Sequence, residues 1–160
     1  MYWTLLPSPI GALTLASDGT AITGLWMSSH RALPAFSARD ACPSLPVLRL
    51  AEAWLSAYFS QEALPPMPPL SPAGTPFQRQ VWTLLQEIPL GDTTTYGAIS
   101  NSLQARGISS SPQAVGGAVG RNPISILIPC HRVVGADGSL TGYAGGVELK
   151  RRLLKLEGSL

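Results

Sequence analysis

Leu64-Pro65-Pro66-Met67-Pro68-Pro69-Leu70-Ser71-Pro72-Ala73-Gly74-Thr75-Pro76 carries six prolines and neither a helical nor a strand period. Proline fixes φ and removes a backbone donor, so such a stretch is a stiff, extended connection and not part of a core. The chain therefore reads as two units. We expect a structural unit at residues 1–68, a linker at 69–76 and a second unit at 77–160.

Upstream of the prolines, Tyr2 to Leu6, Ala12 to Ala16 and Ile22 to Met27 have the composition of short strands, separated by turn signals at Pro7 to Gly11 and Ser17 to Thr20. Val47 to Tyr58 follows with Leu48, Ala51, Leu55 and Phe59 at helical spacing. Downstream the pattern turns helical. Thr75-Pro76 is a cap followed by proline at the first helical position, and Phe77, Val81, Leu84, Leu85 and Ile88 mark one apolar face. Pro89 and Gly91 stop that helix. A second helix opens near Thr94 or Thr95 with Tyr96 in its first turn and runs through Ile99 and Leu103 to Gly107. A third starts at Ser111-Pro112 and runs to Gly120. Two short helices joined by a turn suggest a helix-turn-helix. The expected class is α+β: a small sheet with a helix, then a mostly helical unit.

The third helix contains Gly116, Gly117 and Gly120, each costing about 1 kcal/mol against alanine in a helix interior. Either a neighbouring helix packs closely there, or a partner such as a nucleic-acid backbone does.

Composition narrows the function classes. Of 160 residues, 45% are apolar and 12% charged, with 16 glycines and 15 prolines, which excludes a disordered chain, a coiled coil or a long helical rod. The longest apolar runs, such as Ile124 to Pro129, fall far short of the roughly 20 residues that cross a bilayer. The first residues show no secretory leader, so a cytoplasmic home with reduced thiols and no membrane partner is expected. Cys42, Cys130, His30 and His131 lack the spacing of a zinc set, so no metal is expected. Nothing in the size demands oligomerisation and no dimerisation helix is visible, which suggests a monomer. Residues 1–70, with Arg31, Arg39 and Arg49 against four acids, carry net −1, and residues 71–160 carry +3. The second unit is the one suited to a polyanion, but a surplus this small requires shape and specific contacts.

The reactive candidates follow a short apolar run. Ile124-Ser125-Ile126-Leu127-Ile128 delivers Pro129-Cys130-His131-Arg132. A cysteine there is more often a small core hydrophobe than a nucleophile, but neighbouring basic groups favour the reactive thiolate. Adjacent residues in an extended chain point to opposite sides, so His131 is expected to reach the Cys130 sulfur through a bridging water. A cysteine peptidase would bring its histidine from afar, and His30, in the first unit, is a poor candidate.

Ile128-Pro129-Cys130-His131-Arg132-Val133 resembles the active-site signature of O6-alkylguanine-DNA alkyltransferases, also called methylated-DNA-protein-cysteine methyltransferases. The likeness spans the second unit, through Phe77-Gln78-Arg79-Gln80-Val81-Trp82, Thr95-Tyr96-Gly97, Ala114-Val115-Gly116-Gly117, Asn122-Pro123, Gly142-Tyr143-Ala144-Gly145-Gly146 and Leu156-Glu157-Gly158. The first unit agrees in length and kind, which implies a ribonuclease H-like fold, but offers no comparably specific string.

The resemblance implies direct-reversal DNA repair without a cofactor. Cys130 takes the alkyl group from guanine O6 as a thioether and is not regenerated, so each molecule acts once. Glu157, His131, a water and Cys130 form a chain that drains the thiol proton. A carboxylate near a helix C-terminus faces the wrong end of the dipole, so an offset is expected at Glu157. The last helix is expected to build its core face from Val147, Leu153, Leu154 and Leu156. Tyr96 donates toward guanine N3, and Asn122 ties the turn after the third helix to the active-site loop. Pro129, Val133, Tyr143, Ala144 and Gly145 line the substrate pocket, whose mobile edge is Gly142 to Gly146.

The implied partner is double-stranded DNA containing O6-alkylguanine, with O4-alkylthymine as a second candidate lesion. Gln78, Thr95, Tyr96, Gln113, Ala114, Gly116, Gly117 and Arg121 would contact it, with the third helix in the minor groove and the damaged base flipped out. Gln113 departs from the pattern, because the family usually places there an arginine that fills the gap left by the flipped base. Arg121 is a candidate substitute for that charge. Two alternatives remain at this point: a lesion sensor of the same fold without chemistry, which would not need Cys130, and a helix-turn-helix regulator, which would not need the Cys130-His131 pair.

Overall fold

Tyr2–Leu6 (β1), Leu13–Ser17 (β2) and Ile22–Met27 (β3) form an antiparallel sheet in the order β1-β2-β3. The computed structural model describes residues 1–30 and 33–160; Arg31, counted in the charge balance, lies outside them. All five residues of the central strand β2 are buried. Helix α1, Pro46–Phe59, packs on this sheet. It turns Val47, Leu48, Ala51, Trp54, Leu55 and Tyr58 inward at the spacing of one helical face, the valine and leucines each worth about 1.5–3 kcal/mol if fully buried.

The proline-rich stretch is more than a connection. The Ile22 N–H donates to the Pro69 carbonyl at 2.8 Å, and the Ser71 N–H to the Ile22 carbonyl at 2.8 Å, so residues 69–71 run parallel beside the start of β3. Proline is tolerated because only its carbonyl is used. The chain divides into Met1–Ala73 and Gly74–Leu160.

The second unit holds α2 (Pro76–Gln86), α3 (Tyr96–Ala105), α4 (Pro112–Gly120) and α5 (Val147–Glu157). Each of the first three starts on a hydroxyl cap: Thr75, Thr95 and Ser111 accept from the N–H groups of Gln78, Ala98 and Ala114. Helix α3 closes on Gly107 at φ 78°, where the Ile108 N–H reaches back to the Leu103 carbonyl and the Gly107 N–H to that of Gln104. Buried Trp82 ties α2 to α4 by donating its indole N–H to the Ala118 carbonyl at 2.8 Å. Two short strands, β4 (Thr94–Thr95) and β5 (Val133–Val134), pair in parallel and join the start of α3 to the segment after Cys130.

Helix α5 differs from its expected face. Lys150, Leu153 and Leu154 are buried, as is the Glu157 side chain, whereas Val147 is 39% exposed and Leu156 only half-buried. Positions 150, 153, 154 and 157 share one helical stripe, and its two ends carry charge.

Candidate active site

The segment after α4 is built from tight turns. Asn122 is buried: its Nδ2 donates to the Ile128 carbonyl at 2.8 Å and the Ile124 carbonyl at 3.4 Å, and its Oδ1 accepts from the Ile124 N–H at 3.0 Å. One amide thus fixes both ends of the loop that leads to the cysteine. Within that loop Ile126 sits at φ 70°, and the Leu127 N–H donates to the Ser125 carbonyl at 2.8 Å. A β-branched residue rarely adopts a positive φ, so strain is held here by burial and the Asn122 clamp. A second tight turn centred on Pro129 joins the Cys130 N–H to the Ile128 carbonyl.

Cys130–Arg132 then forms a single 3-10 turn, not the extended chain expected from the sequence. All three side chains are buried. The His131 Nε2 lies 2.5 Å from Glu157 Oε2, while the other carboxylate oxygen, Oε1, accepts from Arg132 Nε at 2.7 Å. Arg132 also donates through Nη1 to the Ile88 carbonyl at 2.7 Å, just beyond α2. The Glu157 side chain is wholly buried at the end of α5, so two donors supply the offset its position demands.

Protonation states follow from burial. A carboxylate only accepts, so Nε2 of His131 carries the hydrogen, and Nδ1, buried without a protein partner, is the basic nitrogen. Burial pushes the imidazole below its ordinary value; Glu157 opposes this, and the charges of Arg132 and Lys150 add to it. Burial likewise pushes the Cys130 thiol up, outweighing the Asn122 amide, the Lys150 charge and nearby backbone N–H groups. Here the sequence misleads: basic neighbours do not hold a resting thiolate, because Arg132 is spent on Glu157 and burial dominates. The resting pair is a neutral thiol and a neutral imidazole.

The Tyr96 hydroxyl donates to the Thr141 carbonyl at 3.1 Å, which tethers the loop before α5. Lys150 Nζ donates to the same carbonyl, also at 3.1 Å. Pro129, Val133 and Gly145 are buried, Ala144 is exposed, and the half-buried Tyr143 ring stands edge-on to His131 with centroids 6.5 Å apart. Gly142 and Gly146 take φ of 58° and 100°, turns that a side chain would strain.

Helix α4 separates two faces. Val115, Ala118 and Val119 are buried, while Gln113, Ala114, Gly117 and Gly120 are exposed, as is the following Arg121. A Cβ added at Gly117 or Gly120 would meet nothing within 4 Å, and one at half-buried Gly116 would only touch the Tyr96 ring at 3.8 Å. Helix packing therefore does not explain Gly117 and Gly120. Gln78 and Thr95 both serve as helix-start residues; the Gln78 Oε1 accepts from the Thr75 N–H, leaving its amide nitrogen for any outward contact.

Comparison with known proteins places this geometry. Residues 76–159 match the 6-O-methylguanine DNA methyltransferase, DNA binding domain, and residues 1–71 its ribonuclease-like domain. The chain belongs to the 6-O-methylguanine DNA methyltransferase family. The methylated-DNA--protein-cysteine methyltransferase of Methanosarcina acetivorans is 42% identical, with 99% of each chain covered. That of Haemophilus influenzae is also 42% identical, over 98% of this chain and 86% of its own. Mycobacterium tuberculosis OGT in complex with DNA superposes with a TM-score of 0.87 at 41% identity, covering 99% of this chain and 94% of that one. As a member of this family the chain is a DNA-repair transferase that moves an alkyl group to a cysteine of its own. Lys150 and the Thr141 carbonyl escape a sequence reading of this methyltransferase. The one available signal is that Lys150 lies seven residues before Glu157, on the same helical stripe.

Proposed function

We propose that Cys130 is the acceptor and that it reacts once, with the alkyl carbon on O6 of a guanine flipped out of duplex DNA. The S–C bond forms as the C–O6 bond breaks, and the thiol proton leaves through a bridging water to Nδ1 of His131. Guanine regains its ring N–H, so the net proton ends on the base. Glu157 holds the imidazole in the right tautomer and steadies it as it charges. Tyr96 turns its hydroxyl from Thr141 to guanine N3, where negative charge grows. Pro129, Val133, Tyr143, Ala144 and Gly145 enclose the base.

The observation that carries this reading is the buried histidine whose Nε2 is fixed by Glu157 while its Nδ1 has no protein partner, next in the chain to a buried cysteine whose thiol is pushed up by burial. A thiol that ionises only when its proton has an exit is protected from adventitious alkylation until substrate arrives.

DNA meets the exposed face of α4 through its minor groove, about 6 Å wide, where bare glycine backbone fits and longer side chains would not. Gln78, Thr95, Gln113, Ala114, Gly116, Gly117 and Arg121 bound that contact, and the protein works as a cytoplasmic monomer on O6-alkylguanine in double-stranded DNA. The test is incubation with a duplex carrying radiolabelled O6-methylguanine. Label passes to the parent protein and not to Cys130→Ser; label reaching the serine variant equally would refute the assignment.

A further inference from the structure

Between α3 and α4 the chain spends six residues, Arg106 to Ser111, where a helix-turn-helix ordinarily needs about three or four. A longer link leaves more backbone freedom to be fixed, so the angle between the two helices is less well set by the turn alone. The body of α4 is held regardless: Val115, Ala118 and Val119 are buried, and the Trp82 indole pins the Ala118 carbonyl near the C-terminal end. Its first turn has no such burial. Pro112, Gln113 and Ala114 are all exposed.

Gln104 supplies the hold that burial does not. It lies in the last turn of α3, and its exposed side chain donates from Nε2 to the Ser110 carbonyl at 2.9 Å, six residues on. Ser110 immediately precedes the helix cap, Ser111, whose hydroxyl accepts from the Ala114 N–H at 3.1 Å. The Ser110 hydroxyl is shielded from solvent and makes no hydrogen bond, so this residue is fastened through its carbonyl. The other half of the turn closes on backbone alone, with the Gly107 N–H on the Gln104 carbonyl and the Ile108 N–H on that of Leu103. The Arg106–Glu87 pair adds little, being solvent-exposed on both sides at 3.8 Å. Thus α3 grips the entry of α4 through an amide, and α2 grips its exit through an indole. Grips at opposite ends fix the pitch of a helix.

We propose that Gln104 is a positioning residue for duplex docking: by holding Ser110, its amide sets the angle at which the first turn of α4 meets DNA, and so where Gln113 stands beside the gap left by the flipped base. This rests on duplex DNA lying against α4. A minor groove about 6 Å wide leaves little tolerance for a tilt of that leading turn.

The test uses Gln104→Met, which keeps length, neutrality and helix propensity but has no donor. Without DNA, hydrogen exchange at the Ala114 amide reads the first turn of α4, and it speeds several-fold in the variant. With DNA, single-turnover methyl transfer is followed against the concentration of an O6-methylguanine duplex. The half-saturating concentration rises about fivefold, the size of one net hydrogen bond. The rate at saturation and the thermal midpoint stay at parent values, because Gln104 touches neither the thiol nor the core. Unchanged exchange at Ala114 overturns the proposal, since the turn then stands without the amide. Faster exchange with an unmoved half-saturating concentration overturns it as well, since the hold is then not used in docking. A lower thermal midpoint with slower transfer at saturating duplex assigns Gln104 to general stability and also counts against it. Failure of the underlying reading shows separately, as Gly117→Ala binding duplex like the parent, or as a parent that takes no methyl from the duplex at any concentration.

Discussion

At the scale of single residues, a buried thiol is a weak nucleophile until its proton can leave, and in the proposed function the 130–132 turn provides that exit through His131. Glu157 is the hinge of the arrangement because both its oxygens are committed, one to His131 and one to Arg132. Glu157→Gln removes the acceptor that sets the tautomer and leaves Arg132 buried and unpaired. We expect loss of about 3–5 kcal/mol of stability, read by urea unfolding, together with a strong fall in methyl-transfer rate. The imidazole adds a pH signature. Burial depresses His131 below the ordinary value near 6.5, so the unfolded chain takes up a proton there that the folded chain refuses. Stability is complete above that pH and falls as pH drops through it, by at most about 1.4 kcal/mol per pH unit. His30, also lowered by burial, contributes to the same slope, so the difference between the parent and His131→Gln isolates His131.

At the scale of elements, α4 carries the clearest conflict between stability and use. Gly117 lies on its exposed face with nothing near the position of a Cβ, so Gly117→Ala should stabilise the protein by about 1 kcal/mol in thermal unfolding. If DNA lies on that face, the same change weakens duplex binding in a titration; unchanged binding would remove the element from the interface. The elements themselves were largely legible because their ends are written in local chemistry. Thr75-Pro76, Thr95 and Ser111-Pro112 announce helix starts, and Gly107 a helix end, whatever lies around them. Strands β4 and β5 were not, since two residues have no period and their pairing joins positions far apart in the chain. The face of α5 was misread for a related reason. Counting apolar residues selects Val147 and Leu156, whereas the buried stripe runs through Lys150 and Glu157, whose charges are tolerated only because of partners brought by the fold. The 3-10 turn at Cys130 was also hidden, because it is imposed by the Asn122 clamp and two tight turns rather than by the propensities of Cys-His-Arg.

At the scale of the whole molecule, a net charge of +2 leaves little room for binding by electrostatics alone. No helix among the described residues is long and apolar enough to cross a membrane. In the proposed function recognition then rests on groove fit and on holding the flipped base, which brings Gln113 forward. It is exposed at the start of α4 and uncharged, so under that proposal it would fill the space of an extruded base less well than arginine. Gln113→Arg should speed transfer from duplex more than from single-stranded substrate in single-turnover kinetics; equal effects on both would place the limiting step elsewhere. The most direct test of the central claim is mass spectrometry of the intact and digested protein after a molar excess of O6-methylguanine duplex. The account predicts one methyl in place of one hydrogen on each molecule, located on the peptide containing Cys130, with repair stopping at one lesion per chain. Methyl on another residue, or an unmodified protein that goes on repairing, would contradict it.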